Sequence, residues 1–137
     1  EGSWKDSKLE KPVQGICPEG YHIPSSAEWD TLTAFVNKFR ESKNEAASLK
    51  AKSWDSWYPP DNKDLEGTNE FGTNIDASGF VGKDNKYVYA NKQVYLWTSD
   101  ADSSGFALQH LSITSSKMDR EIHNYPRVKA AIRCVED

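Results

Sequence analysis

Cys17 and Cys134 are the two cysteines of this 137-residue chain, and they stand near its opposite ends. If they are bonded, the two ends of the chain are held at one place. In a small polar domain the pair reads as one end-to-end disulfide formed in an oxidising compartment. In the chain-entropy view, closing a loop of this length stabilises by about 4 to 5 kcal/mol. The alternative is two buried free thiols in a cytosolic protein.

The length allows one core and is short for two ordinary domains. Seventeen basic residues are scattered among twenty-one acidic ones, for a formal charge of -4. No basic stripe is present to neutralise phosphates, so nucleic acid is not an expected partner. No apolar run approaches the roughly 18 residues of a membrane span. The chain begins at Glu1 rather than Met, which reads as a mature or excised piece of something longer. Aromatic residues reach 12% in a chain that is only 36% hydrophobic. Some of these rings carry the core and others face outward, and which do which is the functional question.

Residues 1–16 are largely polar, with one aromatic, Trp4, and read as a short helix or an irregular lead-in. Ser25 and Glu28 then have the spacing of a capping box, and Trp29, Leu32, Phe35, Val36 and Phe39 recur at helical intervals. This predicts a helix over 26–39 with Trp29, Leu32 and Val36 nearly fully buried. A shorter helix is expected over 45–49. From 54 to 82 the periodicity vanishes, and Pro59, Pro60, Gly67, Gly72 and Gly79 punctuate a long irregular loop, a kind of segment that is usually functional in a compact domain. Strands are expected over 87–89, 94–98, 106–113, 118–122 and 129–135. The order of helices, long loop and antiparallel meander predicts an α+β fold, with one or two helices packed on a twisted antiparallel sheet.

Four stretches stand out: CPEGYHIPSSAEWDTL (17–32), GTNEFG (67–72), YLWTSD (95–100) and AIRCVED (131–137). Together they resemble the Fibrobacter succinogenes major paralogous domain family, bracketed by a Cys-Pro-x-Gly-Trp-His-x-Pro-Ser opening and an Arg-Cys-Val ending. IPSSAEWDTL also resembles the Leu-Pro-Thr-x-x-Glu-Trp element of the formylglycine-generating, sulfatase-modifying family. The resemblance implies a C-type-lectin-like fold over 17–137 after a lead-in over 1–16, with the first helix tied to the last strand through Cys17 and Cys134. It also implies a surface or secreted bacterial protein, often a lipoprotein, of little-known function. Tyr21 replaces the family's usual Trp. Only sixteen residues precede Cys17, where the family carries a first strand, so that strand is missing, supplied by another chain, or replaced locally.

Catalysis is not expected. The formylglycine-generating relatives act through reactive cysteines, and here both cysteines occupy the positions of the structural bridge. His22, His110 and His123 lie far apart without zinc-type spacing, and no nucleophile elbow or phosphate loop is present. A glycosidase carboxylate pair is defined by distance in space and cannot be picked from sequence.

A binding function is expected instead, centred on the loop 53–72. Trp57 and Tyr58 stand among Asp55, Asp61, Asn62 and Asp64, and flat rings with neighbouring carboxylates and amides suit sugar faces and hydroxyls, or a partner protein. Trp54 reads instead as a core ring. No cofactor is expected. Calcium is the one metal to weigh, through Asp61, Asn62, Asp64 and Glu66, since Pro59 to Asn62 and Trp97 to Asp100 faintly echo calcium-lectin motifs with too few oxygen ligands. Tyr87 and Tyr89 share a strand face by alternation and read as hairpin packing.

These residues generate a test: Trp57→Ala is expected to weaken binding of a glycan or partner by about 1 to 3 kcal/mol, the scale of a lost aromatic anchor, while leaving the melting temperature nearly unchanged. Unfolding of that variant without a separable binding loss would make Trp57 a core residue.

Overall fold

The computed structural model describes residues 12–54, 63–124 and 127–137. Two α-helices and two sheets make an α+β domain. Helix α1 spans Ser26–Phe39, and both halves of the capping box form: the Ser25 side chain accepts from the Glu28 backbone N–H, and the Glu28 carboxylate accepts from that of Ser25. Helix α2, Glu45–Leu49, is capped by Asn44, whose side chain accepts from Ala47 N–H.

The larger sheet has the order β3-β2-β4-β5-β6, from β2 (Ser78–Val81), β3 (Tyr87–Ala90), β4 (Gln93–Asp102), β5 (Gly105–Ser112) and β6 (Asp119–His123). It is mixed rather than antiparallel throughout, because β2 lies parallel to β4, with Gly79 opposite Val94. The strand β2 and a 3-10 turn over Lys63–Leu65 lie inside the segment expected to be irregular. Left-handed Gly79 hides β2 from a pattern reading: a Cβ there would stand 2.5 Å from the Val88 carbonyl oxygen. The strand expected over 129–135 is instead two isolated bridges, Lys129 to Val81 and Ala131 to Leu96, followed by β7 (Val135–Glu136).

β7 pairs antiparallel with β1 (Tyr21–His22), so the terminal strand has a partner inside its own chain. The Cys17–Cys134 disulfide is formed beside it, with Cα atoms 5.8 Å apart. His22 closes the same seam: its buried ring places Nε2 2.7 Å from Glu28 Oε1 on α1 and Nδ1 2.7 Å from Asp137 Oδ1 after β7. A neutral imidazole has one N–H, so facing two carboxylates requires the imidazolium. The hydrogen bond with Glu28 and then that with Asp137 raise the His22 pKa above its usual 6.5.

The main core gathers Trp29 and Val36 of α1, Ala46 and Leu49 of α2, Trp54, Ile75, Val94, Leu96 and Leu111. Trp54 is a core ring as expected, its Nε1 donating to the Ile75 carbonyl at 2.6 Å. The apolar face of α1 is narrower than its sequence suggests. Leu32 is only partly buried, and Phe35 and Phe39 are 51% and 53% exposed, packing on each other, with Phe35 also edge-on to Phe71. GTNEFG is architectural: the Glu70 carboxylate accepts from the Ser42 hydroxyl and from the backbone N–H groups of Glu41 and Ser42, which lowers its pKa to about 2.

The seam predicts a pH dependence. A raised His22 pKa contributes stability that is complete below its unfolded value of 6.5 and is lost as pH rises through the folded value. Buried Lys50, lowered to about 8 by desolvation, acts in the opposite sense at higher pH. The melting temperature is therefore expected to fall as pH rises above about 6.5, and His22→Gln to flatten that fall in calorimetry. An unchanged slope in the variant would remove His22 as its origin.

Candidate functional site

Of the residues expected to bind ligand, Asp55, Trp57, Tyr58, Asp61 and Asn62 lie outside the described residues. Asp64 is described, exposed, and its Oδ1 sits 2.6 Å from Lys43 Nζ. Glu66 is exposed nearby. Among the described residues no group of three or more His, Cys, Asp or Glu is placed to hold a metal ion. The second lectin-like echo is structural: Asp100 is buried, and its Oδ2 accepts the Ser26 backbone N–H at 2.6 Å, at the start of α1.

The described residues bring together a different constellation. Along β4, Val94, Leu96 and Thr98 alternate with Tyr95 and Trp97, and the first set is buried with the main core under the helices. Tyr95 and Trp97 belong to the opposite face with Leu108, Val128 and Phe80. Rings continue across it: Phe80 lies 4.4 Å from Tyr95, Tyr95 stacks on His110 at 4.5 Å, and Tyr95 meets His123 edge-on at 5.3 Å. At the sheet edge Glu121 bridges two histidines, with Oε2 3.2 Å from His123 Nε2 and Oε1 3.5 Å from His110 Nδ1. Gln93 Oε1 lies 3.0 Å from the other nitrogen of His110.

Burial pushes the His110 pKa below its usual value, against the opposing pull of Glu121 and Asp119. Both ring nitrogens of His110 face acceptor oxygens, Nδ1 that of Glu121 and Nε2 that of Gln93. The Glu121 side chain is 41% exposed while both imidazoles are largely covered. An exposed carboxylate beside an amide and an imidazole suits hydroxyl ligands.

At the other end of the ring series stands Tyr89, 48% exposed and stacked on Phe80 at 5.8 Å with planes 15° apart. Its φ is +64°, a left-handed conformation that is a genuine outlier for a bulky side chain. Such strain costs about 1 to 3 kcal/mol and clusters at functional sites. Tyr89 thus departs from the strand alternation that suggested plain hairpin packing. Its neighbour Tyr87 is 63% exposed, its hydroxyl donating to the Ser78 carbonyl.

The histidines were legible only singly. His110 and His123 converge because β5 and β6 pair with Phe106 opposite His123 and His110 opposite Asp119. Equal strand parity about the tight 113–118 turn was the available signal. Buried Lys50 had none; its Nζ donates to the carbonyls of Leu65 and Ser115 at 3.2 Å each and lies 5.1 Å from the Trp54 ring.

The family model of the Fibrobacter succinogenes major domain matches residues 3–136 of the chain. The chain belongs to that family. Comparison with curated proteins and with solved structures gave no match. In this major domain the two most specific signature pieces meet each other. The opening supplies Cys17, His22, Pro24 and the Ser25 cap, and the ending supplies Cys134, β7 and Asp137. The signature therefore builds the seam, and the ring series of the outer sheet face lies mostly outside it.

Tyr89→Gly tests the role of the strained ring. It removes a stack worth about 0.5 to 1.5 kcal/mol together with left-handed strain of about 1 to 2 kcal/mol. The expected change in unfolding free energy is within about 1 kcal/mol of zero in denaturant titration, whereas a much larger loss would identify the ring as core.

Proposed function

We propose that this domain is a non-catalytic binding module of C-type-lectin-like design, carried on a bacterial surface or secreted, and that its ligand is a glycan met by the Tyr89 face. The carrying observation is Tyr89 itself, a half-exposed ring backed by Phe80 and held out by a backbone conformation that costs stability. One face of such a ring is free to stack on the apolar face of a sugar, and Glu121 and Gln93 across the same sheet face bind hydroxyls.

Other observations agree with this reading. The disulfide is compatible with an oxidising compartment, and no helix among the described residues is long and apolar enough to cross a membrane. Both cysteines of the chain are in the disulfide, so the thiolate chemistry of the formylglycine-generating relatives has no thiolate here. The pairing of β7 with β1 favours a self-contained module over a subunit awaiting a strand from its neighbour.

A glycan array probed with the labelled domain tests the proposal, using Tyr89→Gly and Glu121→Gln in parallel. Binding to a defined polysaccharide class is expected, weakened about tenfold in each variant, as for an anchor worth 1 to 2 kcal/mol, with melting temperatures close to that of the parent. An array without any bound glycan, or undiminished binding by both variants, would overturn it.

A further inference from the structure

His22 and His110 both stand between two acceptor oxygens, and their contacts differ. His22 is closed on both sides, at 2.7 Å from Glu28 and 2.7 Å from Asp137. His110 is closed on one side: Nε2 lies 3.0 Å from Gln93 Oε1, whereas Nδ1 lies 3.5 Å from Glu121 Oε1. The first distance is that of a hydrogen bond. The second exceeds the roughly 2.7 to 2.9 Å of a charge-assisted bond to a carboxylate. A ring with a single N–H, on Nε2, accounts for this asymmetry, because Nδ1 then turns a lone pair toward Glu121.

The charges acting on His110 come from one neighbouring strand. Its own strand, β5, carries no other charged residue. From β6, Asp119 stands directly opposite, with Glu121 and His123 at the alternate positions that share its face. From β4 come the Gln93 amide and the stacked Tyr95 ring, and Phe80, Val128 and Ala130 complete the apolar cluster around Tyr95. Burial opposes the imidazolium most, Glu121 and then Asp119 favour it, and His123 opposes it, which leaves the His110 pKa below 6.5. Glu121 Oε2 already faces His123 Nε2 at 3.2 Å. Its other oxygen, Oε1, makes no hydrogen bond among the described residues and belongs to a side chain that is 41% exposed. Oε1 is thus the oxygen open to a ligand hydroxyl.

We propose that His110 is a proton-operated latch on the outer sheet face: protonation places an N–H on Nδ1 that donates to Glu121 Oε1 and withdraws the carboxylate from ligand. The inference rests on the reading of Glu121 as a hydroxyl-binding group and adds its regulation, with glycan held near neutrality and released in acid. Closing the open contact commits Oε1 to His110 while Oε2 faces His123, so neither oxygen is left unengaged. The imidazolium also offsets the negative charge that Asp119 and Glu121 present on that face. Gln93 Oε1 accepts from Nε2 in both states, so the ring keeps its place while the carboxylate moves.

The latch is read first without ligand, by NMR on the whole domain. The ring-nitrogen shifts of His110 should report a proton on Nε2 at about pH 7.5 and a titration midpoint below 6.5. Glu121→Gln removes the anion that most favours the imidazolium and should lower that midpoint further. The side-chain carboxylate carbon of Glu121 should show a step at the His110 midpoint, and the step should vanish in His110→Gln. The second reading uses a glycan retained on the array. Its binding should weaken about tenfold from about pH 7.5 to about pH 5, and in His110→Gln the ratio should stay within about twofold, whatever the affinity near neutrality. An array without bound glycan overturns the glycan reading, and the two NMR measurements then decide the latch by themselves. If His110→Gln misfolds, the midpoint in Glu121→Gln still decides. An unmoved midpoint in Glu121→Gln, a carboxylate step that survives in His110→Gln, or an equal pH dependence of binding in that variant would overturn the proposal.

Discussion

The seam between the two ends of the domain is the constraint on which the remaining structure depends. Three interactions of different character coincide there: the Cys17–Cys134 bond, the β1–β7 ladder, and the His22 ring between Glu28 and Asp137. The covalent bond restricts the unfolded chain, an effect of about 4 to 5 kcal/mol for a loop of this length in the entropic account. The ladder of two residues a side is too short to persist alone. The histidine adds specificity, because its two nitrogens fix the orientation of α1 against the end of the chain. Glu28 serves twice, closing the capping box and receiving the imidazole, so the start of α1 and the seam form together.

From that seam the sheet can present two different faces. One packs against the helices through Val94, Leu96 and Leu111 and is dry and aliphatic. The other carries rings, two imidazoles and a carboxylate, with partial cover from Val128 and Ala130. Leu108, Tyr95 and Val128 make a second buried cluster on it, and the strained Tyr89 and the half-exposed charge of Glu121 lie toward its margins. Lys50 does comparable work inside: its buried ammonium ties the Leu65 turn and the Ser115 turn to the end of α2. Carbonyl oxygens and the Trp54 face help to replace the water this buried cation has lost.

The two faces of the sheet therefore differ in chemistry. The outer sheet face combines a half-exposed ring with a carboxylate, an amide and two imidazoles. The helix-covered face packs Trp29 among aliphatic side chains. Coupling between them would have to pass through the core strands, which are packed and rigid.

What the sequence determined by itself is local. The capping box and both helix spans were legible because the hydrogen bonds and side-chain contacts that decide them lie within a turn or follow from simple periodicity. The disulfide was legible because the chain has only two cysteines to pair. Tertiary structure alone decided the parallel placement of β2, the exposure of Phe35 and Phe39, the burial of Lys50, the convergence of His110 and His123 on Glu121, and the left-handed turn at Tyr89. Each depends on strand register or on partners far away in the chain, as when His22 meets Asp137 across 115 positions. No short window of sequence contains both partners, so the pattern within such a window cannot report the contact.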